Sequence, residues 1–81
     1  MKQPSLDDLA EIVGAYVDLS STSVTERSAF GADIPIDSQD MLRVLSRIQA
    51  QYAFKFDVRE VLRIATLGDL LAVVRRHTEG A

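Results

Sequence analysis

Apolar residues recur at Leu6, Leu9, Val13, Tyr16 and Val17, in steps of three and four that trace one face of an amphipathic helix. Ser5 suits the N-cap, and Asp7, Asp8 and Glu11 suit the positive end of the helix dipole, so the spacing predicts a helix over about 5–18. From Leu19 to Ile36 no period holds. Ser, Thr, Gly and Pro alternate there with scattered apolar residues (Val24, Phe30, Ile34, Ile36), which predicts a long loop over 19–37. Loops of that length are usually functional, and their apolar residues should pin them across a core, with Phe30 the leading anchor. Asp37-Ser38-Gln39-Asp40 is a capping pattern with an acid three residues after the cap, followed by Leu42, Leu45, Ile48 and Tyr52 at helical spacing. A second helix over about 38–52 follows, its apolar face widened by Met41 and Val44 and its other side left to Arg43, Ser46, Arg47 and Gln49. After the link Ala53 to Phe56, Val58, Val61, Leu62 and Ile64 mark a helix over about 58–63, too short to stand unless it packs. Thr66-Leu67-Gly68-Asp69 repeats the capping logic, and Leu67, Leu70, Leu71 and Val74 line a last helix over about 66–77, before a Gly80-Ala81 tail. With no useful period-two alternation, the fold class is all-α: a four-helix bundle with a long loop between helices 1 and 2 and a short third helix. Leu9, Val13, Leu45, Ile48, Leu67, Leu71 and Val74 form its expected core.

Composition narrows the function classes. The 81 residues make one domain near the lower size limit for a core without staples, and the balance of 47% apolar to 26% charged residues is that of a folded globular chain. Without cysteine, disulfide scaffolds and thiolate metal sites are excluded, and a lone His77 supplies no metal cluster. No apolar run approaches a membrane span and no signal peptide is evident, so a cytoplasmic protein with no membrane partner is expected. The formal charge of -3 disfavours nucleic acid, whose binding rests on Lys and Arg neutralising phosphates, and favours protein partners of a monomer.

Ordinary catalysis finds no footing. A serine nucleophile needs an activating base, and His77 stands at the far end of the chain in a helix terminus, where the dipole alone accounts for it. Asp37 and Asp40 pair by spacing, but two acids in a first helical turn read as capping residues. What remains is Ser38 at the first position of an amphipathic helix, its hydroxyl expected to be exposed.

Asp37-Ser38, the helix Gln39-Asp40-Met41-Leu42-Arg43-Val44-Leu45-Ser46-Arg47-Ile48 after it, Tyr52, the link Phe54-Lys55-Phe56 and Ala65-Thr66-Leu67-Gly68-Asp69-Leu70 in register resemble the acyl carrier protein family over nearly the whole chain. The Asp-Ser pair resembles its Asp-Ser-Leu signature, and Thr-Leu-Gly-Asp its Thr-Val-Gly-Asp segment. The resemblance implies a bundle of acyl-carrier type over 1–81. It implies that Ser38 receives 4'-phosphopantetheine from coenzyme A through a phosphopantetheinyl transferase, with Asp37 as the adjacent motif acid. Acyl-loading and acyl-transfer enzymes of fatty-acid, polyketide or other specialised biosynthesis are then the partners, and the carrier needs no catalytic group or metal of its own. A phosphodiester on Ser38 would sit at a helix N-terminus, which favours an anion, with Asp37 and Asp40 opposing it locally and water screening them.

The chain departs from the family where partners meet it. Carriers of primary fatty-acid synthesis place Leu after the serine and acids along the second helix, offered to basic enzyme surfaces; here stand Gln39, Arg43, Gln49 and Ala50, with Ser46 and Arg47 replacing small or apolar contacts. Ser38 to Tyr52 holds two Arg against one Asp in a chain that is otherwise acidic. Gln39, Asp40, Arg43, Ser46 and Arg47 are accordingly expected to form a partner interface of altered charge. An aminoacyl, peptidyl or D-alanyl carrier shares arm and fold, and a helical interaction module without the arm is the alternative of another class.

Overall fold

A computed structural model describes residues 3–19 and 23–79; the expected Gly80-Ala81 tail and part of the first loop, 20–22, lie outside them. Four helices follow one another: α1 (Leu6–Gly14), α2 (Ser38–Tyr52), α3 (Val58–Arg63) and α4 (Leu67–Glu79). Among the described residues there is no β-strand, only two isolated bridges, and the architecture is the all-α four-helix bundle with a long first loop and a short third helix.

Each start is set by side chains that satisfy the free amides of a first turn. Ser5 Oγ accepts from the Asp8 amide at 3.2 Å while Asp8 accepts from the Ser5 amide at 2.9 Å. Asp57 and Glu60 form the same reciprocal pair at α3. At α4 the Asp69 amide donates to Thr66 Oγ1 at 3.1 Å, and Asp69 Oδ2 accepts from the amides of Thr66 and Ala65 at 3.1 and 3.0 Å. At α2 the pair is one-sided: Asp37 accepts from the Asp40 amide at 2.8 Å, but Asp40 turns to Arg43.

α1 packs against both α2 and α4. The core between them joins Leu9, Ile12 and Val13 to Val44, Leu45 and Ile48 and to Leu67, Leu70, Leu71 and Val74, with Ile34 from the loop. Three expectations change in detail. α1 ends at Gly14 rather than near 18, because Ala15 and Tyr16 donate to carbonyls only three residues back and tighten the chain into a turn; Tyr16 and Val17 still pack against the core, so the apolar period outlasts the helix. Ile34 and not Phe30 is the fully buried loop anchor, Phe30 being half-buried beside it. Leu42 is 64% exposed, because Val44 and Ile48, one turn apart and both at 0%, take the centre of the α2 stripe and rotate Leu42 out of it.

A strap of backbone hydrogen bonds fixes the loop. Phe30 donates to the Ala65 carbonyl at 2.9 Å, Leu67 to that of Ser28 at 2.9 Å and Gly68 to that of Glu26 at 2.9 Å. At Gly68 the approach is so close that a Cβ would stand 2.7 Å from the Glu26 carbonyl oxygen, so only glycine fits. Ile48→Ala should destabilise the protein by about 2 to 5 kcal/mol, as should Leu45→Ala, whereas Leu42→Ala should change stability by less than about 0.5 kcal/mol. Gly68→Ala should lose about 1 to 3 kcal/mol, since the obstructing atom is backbone. Urea denaturation midpoints of the four variants check the ranking.

Candidate functional site

Ser38 is the first helical residue of α2 and is exposed. Its place is set from upstream. Buried Ile34 clamps the loop to the core, the Ile36 amide turns back to the Ile34 carbonyl at 2.8 Å around Pro35, and Asp37 caps the helix with extended backbone. The amides of Asp40 and Met41 are taken by the Asp37 side chain and carbonyl, at 2.8 and 2.9 Å. Among the described residues no acceptor meets the amides of Ser38 and Gln39, so two donors of the positive helix end face water beside the hydroxyl. An exposed hydroxyl with two open amides can hold a phosphodiester, and the residues present fit such a group.

Of the other residues singled out in the sequence, Arg43, Ser46 and Arg47 come together with Tyr16 and Leu42 around one shallow depression, all three exposed. Arg43 Nη1 donates to Asp40 Oδ1 at 3.2 Å, an exposed pair that contributes little to stability. Gln39 is exposed in the first turn and Asp40 half-exposed. Arg47 also faces α1, where it lines a small groove with Asp8 and Glu11.

An apolar cleft of about 280 Å³ opens between α2 and α3, lined by Leu42, Leu45, Ser46 and Gln49 on one side and Phe56, Val58, Val61 and Leu62 on the other. Leu42 lies four residues after Ser38, hence one turn further along the same face, at a rise of about 6 Å. Its walls include the large apolar side chains left in water, Leu42, Val58 and Leu62, the last two 74% and 81% exposed. In the sequence, Val58, Val61, Leu62 and Ile64 mark one short helix that must pack, with no division between faces. The signal was present: Val58 and Leu62 are four apart and share a face, while Val61 and Ile64, three apart, share the one that meets the core.

α3 contributes no fully buried residue, and what holds it was missed in the sequence. His77 Nε2 stands 2.8 and 3.0 Å from the two carboxylate oxygens of Glu60, and its ring stacks on Phe54 with centroids 4.4 Å apart. Phe54 in turn meets Phe56 edge to face at 4.8 Å. Gln49 closes the link, its Oε1 accepting from the Phe56 amide at 2.9 Å, and Ala53 makes the turn with a left-handed φ of 58°. Contacts of His77 with Glu60 and Phe54, both well outside any helical repeat, would not be found from periodicity.

The family model for the phosphopantetheine attachment site matches residues 7–74. The chain is 26% identical over 71 residues to an acyl carrier protein of Wolinella succinogenes, covering 88% of this chain and 93% of that one. It is 29% identical over 73 residues to an acyl carrier protein of Kineococcus radiotolerans, covering 90% of each. To a meromycolate extension acyl carrier protein of Mycolicibacterium aurum it is 26% identical over 78 residues, 96% of this chain and 80% of that one.

The Glu60 carboxyl is held below its ordinary 4.5, first by the Asp57 amide and then by His77, and the amides of Ala65 and Thr66 hold Asp69 below its ordinary 3.8. A depressed carboxylate stabilises the fold fully above the unfolded value and loses that contribution as pH falls through the folded one. The melting midpoint should therefore fall as the pH drops below about 4.5, and Glu60→Gln should flatten that fall without abolishing it, Asp69 remaining. Thermal melts of both proteins between pH 7 and pH 3 test this; parallel curves would dismiss the Glu60 contribution.

Proposed function

The chain belongs to the phosphopantetheine-attachment family, and from that membership we propose that Ser38 carries the arm and that the protein presents acyl thioesters to the enzymes of a dedicated pathway. Members are carriers rather than enzymes: they bind 4'-phosphopantetheine covalently and are themselves substrates of a phosphopantetheinyl transferase. The observation that carries the reading is an exposed serine at the N-terminus of α2, one turn from an apolar cleft. The arm supplies the thiol on which the cargo rides. This chain's residues do the rest. The transferase brings the base and metal ligands, Asp37 keeps the first turn formed with the Ser38 hydroxyl outward, and the open amides of Ser38 and Gln39 favour the phosphodiester once made. We read 1–81 as one carrier domain, monomeric and cytoplasmic.

Leu42, Val58 and Leu62 favour an acyl cargo over an aminoacyl, peptidyl or D-alanyl one. A hydrocarbon chain laid in the cleft removes their surface and its own from water, at about 25 cal/mol per Å², which a cargo bearing a free ammonium group cannot match. Arg43 and Arg47 favour enzymes whose contact surface is acidic, because charge across an interface sets encounter rate and excludes partners of like sign.

With coenzyme A and a broad-specificity transferase, intact mass should show one added phosphopantetheinyl group on the wild type and none on Ser38→Ala. An unmodified wild type with several transferases, or a modified Ser38→Ala, overturns the assignment. With an acyl-loading enzyme of primary fatty-acid synthesis, Arg43→Glu/Arg47→Glu should be loaded several-fold faster than wild type at low ionic strength, and the gap should close as salt rises. Equal rates at low salt would remove the dedicated-partner part of the reading.

A further inference from the structure

The cleft between α2 and α3 is lined by apolar side chains except at Ser46 and Gln49, both on the α2 wall. Gln49 is half-buried, and both its backbone and its side chain are pinned to the link that follows the helix. Its carbonyl accepts from the amides of Ala53 and Phe54, the latter at 3.3 Å, and its side-chain Oε1 accepts from the Phe56 amide at 2.9 Å. The N–H of Phe56 can meet only the oxygen of the side-chain amide, which fixes the other end as Nε2. Among the described residues no acceptor meets that nitrogen, so two N–H donors stand at one point of an otherwise apolar lining. The bond to Phe56 requires an acceptor alone, and a carboxylate would serve it as well. What glutamine adds at this position is the pair of donors.

We propose that Gln49 is a specificity-determining residue for the cargo, its Nε2 donating to the carbon-3 carbonyl oxygen of a 3-oxoacyl thioester; the inference rests on the carrier reading of Ser38. Reach supports it. Gln49 lies eleven residues after Ser38 on the same helix, about 16 Å along the axis at 1.5 Å per residue. A phosphopantetheine arm has about fourteen bonds from the serine oxygen to its sulfur, and at the spacing of an extended polypeptide it spans about 16 Å. At full stretch it brings the thioester level with Gln49, so the oxygens offered to the amide are those on the first carbons of the cargo. Two N–H donors call for two acceptors. Every acyl thioester supplies one in its own carbonyl, and in an extended chain the oxygen on carbon 3 points to the same side, because substituents on alternate carbons do. A saturated chain would cover the second donor with methylenes and leave it without a partner, which is how a polar site rejects an analogue that lacks the matching group. The rest of the chain is left to Val58, Val61 and Leu62 on the facing wall.

The full chain is loaded from octanoyl- or 3-oxooctanoyl-coenzyme A by a broad-specificity transferase, with arm-only protein made from coenzyme A as the reference, and intact mass counts the groups added. Solvent exchange of the Gln49 side-chain protons, followed on ¹⁵N-labelled protein, should be about fivefold slower or more with 3-oxooctanoyl than with octanoyl, the size expected of one hydrogen bond. On the wild type the 3-oxooctanoyl form should also melt above the octanoyl form, although its cargo is the less apolar. Gln49→Glu keeps an acceptor for the Phe56 amide and removes the donors, and there the order of melting should reverse. Ala50→Glu, which gains the same charge at an exposed position outside the cleft, should keep the wild-type order. Should Gln49→Glu not fold, the exchange measurement on the wild type decides alone. Equal exchange with both cargoes, slowing already complete in the arm-only protein, or an unreversed melting order in Gln49→Glu overturns the proposal and leaves the assignment of Ser38 standing. Failure to load with any of the three donors overturns that assignment, and this inference with it.

Discussion

Burial of Val44 and Ile48 fixes the rotation of α2 about its own axis, and almost everything the protein presents to others follows from that angle. With those two at the centre of the core stripe, Leu45 and Met41 flank it and Leu42 turns outward. One flank then carries Leu42 and Gln49 toward α3, and the opposite one carries Arg47 toward α1. A slip of one position would bury the arginines without partners, at several kcal/mol each, so hydrophobic packing holds the site in register.

The two ends of the site are held in different ways. Upstream, Ser38 is tied to the interior through Ile34 and to the start of α4 through the backbone strap, neither of which titrates. Downstream, α3 rests on Val61 and Ile64, on the Phe54 stack and on one histidine-carboxylate pair. The start of α2 is therefore held firmly and α3 is the yielding wall of the cleft, an arrangement that would suit cargo of different lengths under the proposed function.

Much of the fold was legible because helix starts are written in short-range chemistry. Asp37 and Thr66 stand where their side chains meet amides three residues on, and Ser38–Tyr52 could be bounded from such a pair and the apolar period, while Val58–Arg63 rested on the apolar period alone, its cap Asp57 being seen only in the structure. The end of α1 was not, since a turn can keep Tyr16 and Val17 on the core side after the helix has stopped. The loop anchor is Ile34 and not the expected Phe30, because burial there is decided by the turn around Pro35, a local geometry that the apolar pattern does not report. For the site, Ser38, Arg43 and Arg47 were readable as exposed positions, while the cleft was not. Its walls belong to two helices, and only the packing shows that Val58 and Leu62 point at Leu42 and away from the core. The role of His77 was invisible for the same reason, its partner Glu60 lying outside any helical repeat.

The strap has a consequence for the order in which the molecule assembles. Its three hydrogen bonds join Glu26, Ser28 and Phe30 to Gly68, Leu67 and Ala65, closing a segment that contains all of α2 and α3. Closing a loop of some forty residues costs chain entropy before any contact compensates, so this step belongs late in folding or at its barrier, after local helices have begun to form. Once closed, the loop can open only if the start of α4 lets go of the chain ahead of Ser38. The chain ahead of Ser38 thus opens together with the start of the last helix, although by sequence it sits in the most irregular part of the protein.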